Sequence, residues 1–254
     1  MQTLTIKQIR DLIKNDIVDD KLLSRLKSDQ RKGVQQLLIR HEKQQEAKRI
    51  KEANFFELLQ FDQQFQHSPT DYIAGVDEAG RGPLAGPVVA AAVILPSSFH
   101  LVGLNDSKQI KENERQTFYE KITAEAISYH IAVVDNHSID ELNIYEATKK
   151  AMTEAILGLE TKPSTVLIDA VPLTINSLVT NSIIKGDEKS LAIAAASVLA
   201  KVTRDKIMME LDIEHPEYSF AKNKGYGTKD HLEALKKHGR TAYHRLSFSP
   251  VNQY

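Results

Sequence analysis

The amino-acid sequence predicts an α/β fold, a five-stranded mixed sheet flanked by helices and preceded by a helical extension. Three short, apolar, β-prone stretches follow one another at 72–76, 88–95 and 128–134. Consecutive strands of this kind are expected to pair antiparallel as a meander. Two further stretches, at 166–168 and 182–184, need crossover connections, so they are expected to lie parallel in the same sheet.

Two helices are expected to cover this sheet. Ser138 is suited to cap a helix that runs to about residue 159. A longer helix is predicted from about 187 to 211, and it is rich in alanine over 192–200. Such small side chains allow a helix to pack closely on a sheet.

Residues 1–69 have the pattern of a separate, basic, helical extension. Apolar residues recur there at helical spacing. The stretch 40–52 is almost entirely polar, which fits either a solvated helix or a linker. A boundary at the turn near 67–70 predicts an extension over 1–69 and a second domain over 70–254 that ends in a helical segment.

Composition narrows the classes of protein. The chain has 254 residues, of which 41% are hydrophobic and 26% charged, as in an ordinary globular protein. It has no cysteine, so disulfide frameworks, thiolate zinc sites and cysteine nucleophiles are excluded. No apolar run reaches the ~20 residues needed to span a bilayer, and the charged N-terminus does not resemble a secretory signal. A cytoplasmic protein without membrane association is expected.

Charge is distributed unevenly along the chain. Residues 1–69 and 222–254 carry a net positive charge, and residues 70–221 carry a net negative charge. Basic ends around an acidic middle suit a polyanion held at the edges of a site that binds cations. The same pattern is also compatible with an uneven surface charge that has no such role.

Acidic residues stand where three of the predicted strands end. Asp77 and Glu78 follow the first strand, Asp169 follows the fourth, and Asp187 comes just after the fifth. Adjacent strand residues point to opposite faces of a sheet. Asp77 and Glu78 can therefore serve one site only where the backbone turns, and the glycines that follow them supply that freedom. If the first and fourth strands are parallel neighbours, their acids converge at one sheet edge.

The simplest interpretation of these four carboxylates is a metal site. Crowded carboxylates repel one another unless cations neutralise them. Oxygen ligands without histidine or cysteine favour Mg²⁺ or Mn²⁺. Two such ions about 4 Å apart clamp both oxygens of an in-line phosphodiester displacement. A glycosidase-type pair of acids is the main chemical alternative, but it explains neither the glycines nor the basic flanks.

Five blocks of sequence occur in a distinctive order. They are GVDEAGRGPLAGPV at 75–88, LNDSK at 104–108, KGDEKSLAIAAASVLAKVTRD at 185–205, NKGYGT at 223–228 and YHRLSFSPV at 243–251. Together they resemble the type II ribonuclease H family, which implies an RNase H-like fold over about 71–251. The resemblance does not reach the N-terminal extension, and Asn223 stands where the family often has histidine.

The resemblance also implies functional residues. Asp77, Glu78, Asp169 and Asp187 are similar to a four-carboxylate site that is catalytic and holds two divalent ions, Mn²⁺ or Mg²⁺, during catalysis. A second set is implied to contact nucleic acid: Gly80, Arg81, Gly82, Asn105, Ser107, Lys108 and Tyr226. A third set, around the long helix, is expected to steady the acids, meet phosphate or form structural ion pairs: Lys185, Lys201 and Arg204.

A physical role can be assigned to the glycine loop, to Arg81 and to Tyr226. The small residues beside Arg81 would let the backbone approach the 2′-hydroxyl that distinguishes RNA from DNA. Arg81 is expected on the adjacent phosphate, and its alternative is an ion pair with one of the acids. Tyr226, flanked by glycines, is expected to be exposed and to stack on the sugar that follows the ribonucleotide. Its alternative is packing at the edge of the domain.

The implied activity is hydrolysis of the RNA strand of RNA–DNA hybrids and nicking on the 5′ side of ribonucleotides in duplex DNA, giving 5′-phosphate and 3′-hydroxyl ends. Nucleic acid is then the partner, and nothing demands an obligate protein partner or more than a monomer. The alternatives are the related type III branch, resolvases or transposase-like nucleases of the same fold, and a non-catalytic protein that binds hybrids. The basic extension could bind duplex phosphates or serve packing or a protein partner.

Overall fold

A computed structural model describes residues 4–15, 17–68, 70–105, 107, 110–176 and 178–254. The chain divides into two compact units, Met1–Asn54 and Phe55–Tyr254. This division comes earlier than the boundary predicted at 69–70, because Phe55 and Leu58 belong to the hydrophobic core of the second unit. Pro69, in the predicted boundary, lies outside the described residues.

The first unit is helical, as the sequence predicts. Its helices are α1 (Ile6–Lys14), α2 (Asp20–Lys27) and the first part of α3 (Lys32–Gln63). A small core gathers one residue of α1, one of α2 and two of α3, namely Ile9, Leu26, Val34 and Leu38. The polar stretch 40–52 is continuous helix and not a linker.

The second unit contains the predicted five-stranded sheet. Its strands are β1 (Ile73–Ala79), β2 (Val88–Ile94), β3 (Ser128–Val134), β4 (Thr165–Asp169) and β5 (Val179–Ile183). Its helices are α4 (Glu112–Glu125), α5 (Asn136–Leu142), α6 (Ile144–Leu157), α7 (Leu191–Glu214), α8 (Phe220–Asn223) and α9 (Lys229–His238). The strand order is β3-β2-β1-β4-β5. The first three strands pair antiparallel and the last two are parallel to β1, which confirms the predicted mixed sheet.

Asn143 separates α5 from α6, where the sequence predicts one helix over 138–159. Its φ is 69°, a positive value that asparagine tolerates better than most residues. Its side-chain oxygen accepts hydrogen bonds from the N–H groups of Tyr145 and Glu146, at 2.9 and 3.2 Å. The same residue therefore ends one helix and caps the next.

The long helix α7 begins at Leu191, so the start predicted at Asp187 is wrong. Ser190 is the capping residue, and its hydroxyl accepts the N–H of Ile193 at 3.1 Å. Gly186–Glu188 form a separate 3-10 helix. Asp187 therefore lies on the turn between β5 and α7, close to the edge of the sheet.

The small residues of α7 allow the close packing on the sheet that the sequence predicts. Gly75 in β1 faces the helix, and a Cβ on it would overlap the backbone of Ala192. The helix shares one hydrophobic core with β2 and α4. A second core lies between the opposite face of the sheet and α6. No helix in the described part of the chain is long and apolar enough to cross a membrane.

Candidate active site

The acids of β1 and β4 converge, as the predicted parallel pairing requires. Val76 is the register partner of Ile168, so Asp77 and Asp169 are the next residues on neighbouring strands. The negative charge of Asp169 acts on both Asp77 and Glu78 and raises the pKa of each. Three of the four predicted carboxylates therefore form one electrostatic group.

Asp77 is buried, with 5% of its surface exposed. Burial is the main cause that raises the pKa of Asp77 well above its ordinary value, and the charges of Glu78 and Asp169 raise it further. The Ser197 hydroxyl and the N–H of Glu78 oppose this effect by hydrogen bonding to the carboxylate. The N–H of Glu78 lies 2.7 Å from Oδ1 of Asp77.

The two carboxylate oxygens of Glu78 differ in their partners. Its Oε1 pairs with Nη1 of Arg81 at 3.2 Å. Its Oε2 is buried and has no hydrogen-bond partner among the described residues. Burial raises the pKa of Glu78, and Arg81 lowers it. The ion pair is the alternative that the sequence left open for Arg81, whose phosphate contact stays a prediction.

Asp169 and Asp187 are linked through the turn that follows β5. The N–H of Gly186 donates to Oδ1 of Asp169 at 2.6 Å. This bond ties the end of β4 to the 3-10 helix that carries Asp187, of which 9% is exposed. Lys185, just before it, has a φ of 55° and pairs with Glu188 at 3.6 Å.

The donor chemistry of these acids fits a hard divalent cation. All the donors are carboxylate oxygens, and a buried oxygen of Glu78 lacks a partner among the described residues. A cation would also relieve the mutual repulsion that raises the pKa values of Asp77 and Glu78. In the described part of the chain no three acidic or histidine side chains are yet gathered closely enough to hold a metal.

The Gly80-Arg81-Gly82 loop and Tyr226 line the same cleft as Asp77 and Glu78, a space of about 550 Å³. Gly80 has a φ of +100°, which favours glycine. A Cβ on Gly82 would stand 3.6 Å from Cε1 of Tyr226, so the loop and the tyrosine are neighbours. Tyr226 is 47% exposed, which confirms the predicted exposure.

A fully buried arginine holds the backbone of this loop. Arg245 donates from Nη2 to the carbonyl of Gly80 at 2.6 Å and from Nη1 to that of Arg81 at 3.0 Å. It also donates to the carbonyls of Gly86 and Pro87. Sequence reasoning did not single out Arg245, because nothing local marks a contact between residues so distant in the chain.

Arg204 has a structural role of the same kind. It is buried on α7 and donates to the carbonyls of Pro87, Ala85 and Lys224, at 3.0 to 3.1 Å. It therefore joins the segment after the glycine loop to the turn that carries Tyr226. Lys201 instead pairs with Asp205, the structural alternative named for it.

The structure describes two of the three residues of the 104–108 block that are predicted to contact phosphate. Ser107 lines the cleft, but its hydroxyl is bonded to the Ser197 hydroxyl at 2.9 Å and is almost fully buried. Asn105 is half-buried. Lys108 lies outside the described residues.

Ser197 and Arg115 border this cleft, and sequence reasoning missed both. Ser197 donates to the Ser107 hydroxyl and lies close enough to Asp77 to lower the pKa of that carboxyl, so it stands between Ser107 and the acids. Arg115 on α4 donates to the carbonyl of Ser107 at 2.5 Å. Ser107 is therefore held on two sides, by Arg115 of α4 and by Ser197 of α7.

The fold and the cleft together define a nuclease of the RNase H-like class. The chain is similar in structure to the ribonuclease H2 of Pyrococcus horikoshii OT3, with a TM-score of 0.63 and 25% identity, over 72% of this chain and 96% of that one. It is also similar to the structure of the PCNA:RNase HII complex from Archaeoglobus fulgidus, with a TM-score of 0.61 and 26% identity, over 72% of this chain and 100% of that one. These similarities confirm the predicted fold class.

Sequence comparison then gives the family. The profile described as Ribonuclease HII matches residues 74–251. The Ribonuclease HII of Oceanobacillus iheyensis is 50% identical over 254 residues, which cover 100% of this chain and 97% of that protein. The chain belongs to the Ribonuclease HII family and is a hydrolase. A second profile, Ribonuclease HII N-terminal domain, matches residues 5–66, so the expectation that the resemblance stops near residue 71 was wrong.

Proposed function

We propose that the protein is an endonuclease that hydrolyses the RNA strand of RNA–DNA hybrids and also nicks duplex DNA on the 5′ side of embedded ribonucleotides. Action on hybrids follows from its family. The finer activity rests on one observation: the acids of β1, the glycine loop and Tyr226 line a single cleft. A site that must find one ribonucleotide in DNA needs cleaving groups and a sugar sensor side by side.

The carboxylates are the proposed cleaving groups. Asp77, Glu78, Asp169 and Asp187 would hold two divalent cations, Mn²⁺ or Mg²⁺. Such ions supply an activated water and stabilise the leaving oxygen of an in-line displacement. The protein's own contribution is to hold these acids at one sheet edge and to keep an oxygen of Glu78 available. The products would carry a 5′-phosphate and a 3′-hydroxyl.

The Gly80-Arg81-Gly82 backbone is the proposed sensor of the 2′-hydroxyl. Arg245 donates hydrogen bonds to the carbonyls of Gly80 and Arg81. A trans peptide holds its C=O and N–H on opposite sides, so the N–H groups of Arg81 and Gly82 point away from Arg245. These N–H groups can donate to a 2′-hydroxyl, which a deoxyribose lacks.

The remaining contacts would position the duplex. Tyr226 would stack on the deoxyribose that follows the ribonucleotide, since its exposed ring lies beside Gly82. Arg81 would turn from Glu78 to a phosphate once a cation takes its place. Asn105, Ser107 and Lys108 would meet the backbone next to the cut.

The biological role would be the excision of ribonucleotides misplaced in DNA and the removal of RNA primers, by a monomer in the cytoplasm without an obligate protein partner. We propose residues 1–69 as the extension and 70–254 as the catalytic domain. The basic extension would hold the duplex through backbone phosphates.

The deciding experiment is a nicking assay on duplex DNA that contains one ribonucleotide. An all-RNA/DNA hybrid and a plain DNA duplex are run beside it, each with Mg²⁺, Mn²⁺ or a chelator. We expect metal-dependent cutting 5′ to the single ribonucleotide and of the hybrid, with plain DNA untouched. Cutting of the hybrid alone would contradict the proposed sugar sensor, and cutting of none would contradict the cleaving role of the acids.

A further inference from the structure

Two buried histidines lie in contact behind Tyr226, outside the cleft. His231 on α9 and His244 are both 0% exposed. Their Nε2 atoms are 3.0 Å apart. The rings of Tyr218 and Phe220 surround them, with centroids 5.0 to 6.0 Å away. No step of the proposed reaction uses either imidazole.

The protons of this pair are determined by the groups at its two ends. At one end the backbone N–H of Thr241 lies 2.9 Å from Nδ1 of His244. An N–H can only donate, so Nδ1 of His244 accepts and the ring proton is on Nε2. At the other end Nδ1 of His231 lies 2.9 Å from the carbonyl of Tyr226. A carbonyl can only accept, so the proton of His231 is on Nδ1.

These two assignments are consistent at the contact between the two Nε2 atoms. Nε2–H of His244 donates to the bare Nε2 of His231 at 3.0 Å, and of the two directions open to neutral rings this is the one that both end groups allow. Hydrogen bonds therefore run in one direction from Thr241 through both histidines to Tyr226. Burial lowers the pKa of both imidazoles, which keeps them neutral as this arrangement requires.

We propose that His231 and His244 are positioning residues for Tyr226, and that they hold its backbone so that its ring faces the glycine loop. The inference rests on the proposed function, in which Tyr226 reads the sugar. The other backbone bonds of Tyr226 are local: its carbonyl also accepts the N–H of Thr228, and its N–H donates to the carbonyl of Asn223. Leu84 and Arg204 anchor the neighbouring carbonyls of Gly225 and Lys224, and the histidine pair is the long-range contact made to Tyr226 itself.

Two substitutions of His231 separate its two nitrogens. The amide of His231→Asn can reach the place of Nδ1 and still donate to Tyr226, whereas that of His231→Gln reaches the place of Nε2. Tyr218→Phe is the matched control, because it removes a buried bond in the same cluster, from the Tyr218 hydroxyl to the carbonyl of Gly239. It leaves the contacts of Tyr226 untouched.

The first readout is hydrogen exchange of the peptide 223–228 in the full chain without substrate. We expect exchange about tenfold faster in His231→Gln, a smaller change in His231→Asn, and none in Tyr218→Phe. Equal acceleration in all three would overturn the proposal. Side-chain ¹⁵N spectra of the unaltered protein provide a test that needs no variant: any tautomers other than Nδ1–H for His231 and Nε2–H for His244 would overturn it as well.

The second readout is a double-mutant cycle in the nicking assay. His231→Gln should lower kcat/KM at a single ribonucleotide about tenfold, but less than about twofold in a Tyr226→Ala background. An equal loss in both backgrounds means that His231 does not act through Tyr226. If Tyr226→Ala alone leaves nicking unchanged, the proposed role of Tyr226 fails, while hydrogen exchange still decides whether the histidines hold the turn.

Discussion

Two groups of charged residues line the cleft or hold the loop that lines it, and their hydrogen bonding differs. Asp77 is buried and Glu78 is half-buried, both have few donors, and one oxygen of Glu78 has no partner among the described residues. The arginines Arg204 and Arg245 are more deeply buried, yet each donates to at least three backbone carbonyls. Burial lowers the pKa of Arg204 to about 10 and of Arg245 to about 9, so both stay charged at neutral pH.

Hydrogen bonding distinguishes a buried charge that serves function from one that serves structure. A buried charge whose hydrogen-bonding capacity is used by the backbone is part of the scaffold. A buried charge that is left short of partners is held ready for a group from outside. By this criterion the acids belong to the chemistry, and the arginines shape the loop on which the substrate rests.

The largest expected effect is on activity, from Asp77→Asn. Loss of a proposed metal ligand should lower kcat by about a thousandfold or more. The same change removes a buried charge that Glu78 and Asp169 repel, so the midpoint of thermal unfolding should rise. Nicking kinetics and a melting curve on one preparation measure both. A variant that keeps its activity, or that loses stability, contradicts the proposed role of Asp77.

Arg245→Met should lower stability strongly, whereas Asp77→Asn should raise it. Four carbonyl bonds to a charged donor disappear, and unsatisfied buried carbonyls remain. We expect a loss of about 4 kcal/mol in the free energy of unfolding, measured in urea. Arg245→Lys is the control that keeps the charge without the planar fork, and it should recover only part of the loss. A loss below about 1 kcal/mol would show that this arginine is not part of the scaffold.

Asp62 is a buried acid that does not line the cleft. Its carboxylate accepts the N–H of Ala192 at 2.9 Å, and its other oxygen is buried without a partner in the described part of the chain. Burial, the largest cause, raises the pKa of Asp62 from 3.8 to about 7. Hydrogen bonds from Ser190 and from the first N–H groups of α7 act in the opposite direction.

The sign of the pH effect follows from this raised value. Between about pH 4 and 7 the folded protein binds more protons at Asp62 than the unfolded chain does, so this residue makes the protein less stable as pH rises. Asp62→Asn keeps an acceptor for Ala192 and should remove a slope of about 1 kcal/mol per pH unit. Urea unfolding at pH 5, 6, 7 and 8 measures it. An unchanged slope would mean that Asp62 is ordinary despite its burial.

Ser197→Ala should give the smallest effect. Asp77 loses the neighbouring hydroxyl that lowers its pKa, and the Ser107 hydroxyl loses its partner, which should lower kcat about fivefold with little change in stability. Ser197→Thr keeps the hydroxyl and is the control. If both variants lose activity equally, crowding on α7 and not the hydroxyl is responsible.

Much of the fold could be predicted because it depends on local patterns. Strand order and the convergence of Asp77 with Asp169 follow from short apolar stretches and from the rules of crossover connections. The close packing of α7 follows from its small residues. The predictions that failed depend on single residues: Asn143 breaks a helix by a positive φ, and Ser190 begins α7 later than its periodicity suggests.

In the candidate site, too, some residues could be predicted from local patterns and others could not. The acids and the exposed Tyr226 follow from strand ends and flanking glycines. The support of the site could not be predicted, because Arg245 contacts Gly80 and His244 contacts His231 only after distant segments pack together. The ion pair of Arg81 with Glu78 was foreseen as an alternative, since the two residues are three apart on a turn.

Gly75 has a consequence for how this protein can vary. The space that a side chain at this position would need is occupied by the backbone of Ala192. Any other residue would therefore push α7 away from β1. A mutational scan scored by nuclease activity should find Gly75 as intolerant as the acids, although it never meets the substrate. A parallel scan scored by protein abundance would separate the two, since it should deplete variants of Gly75 and retain those of Asp77.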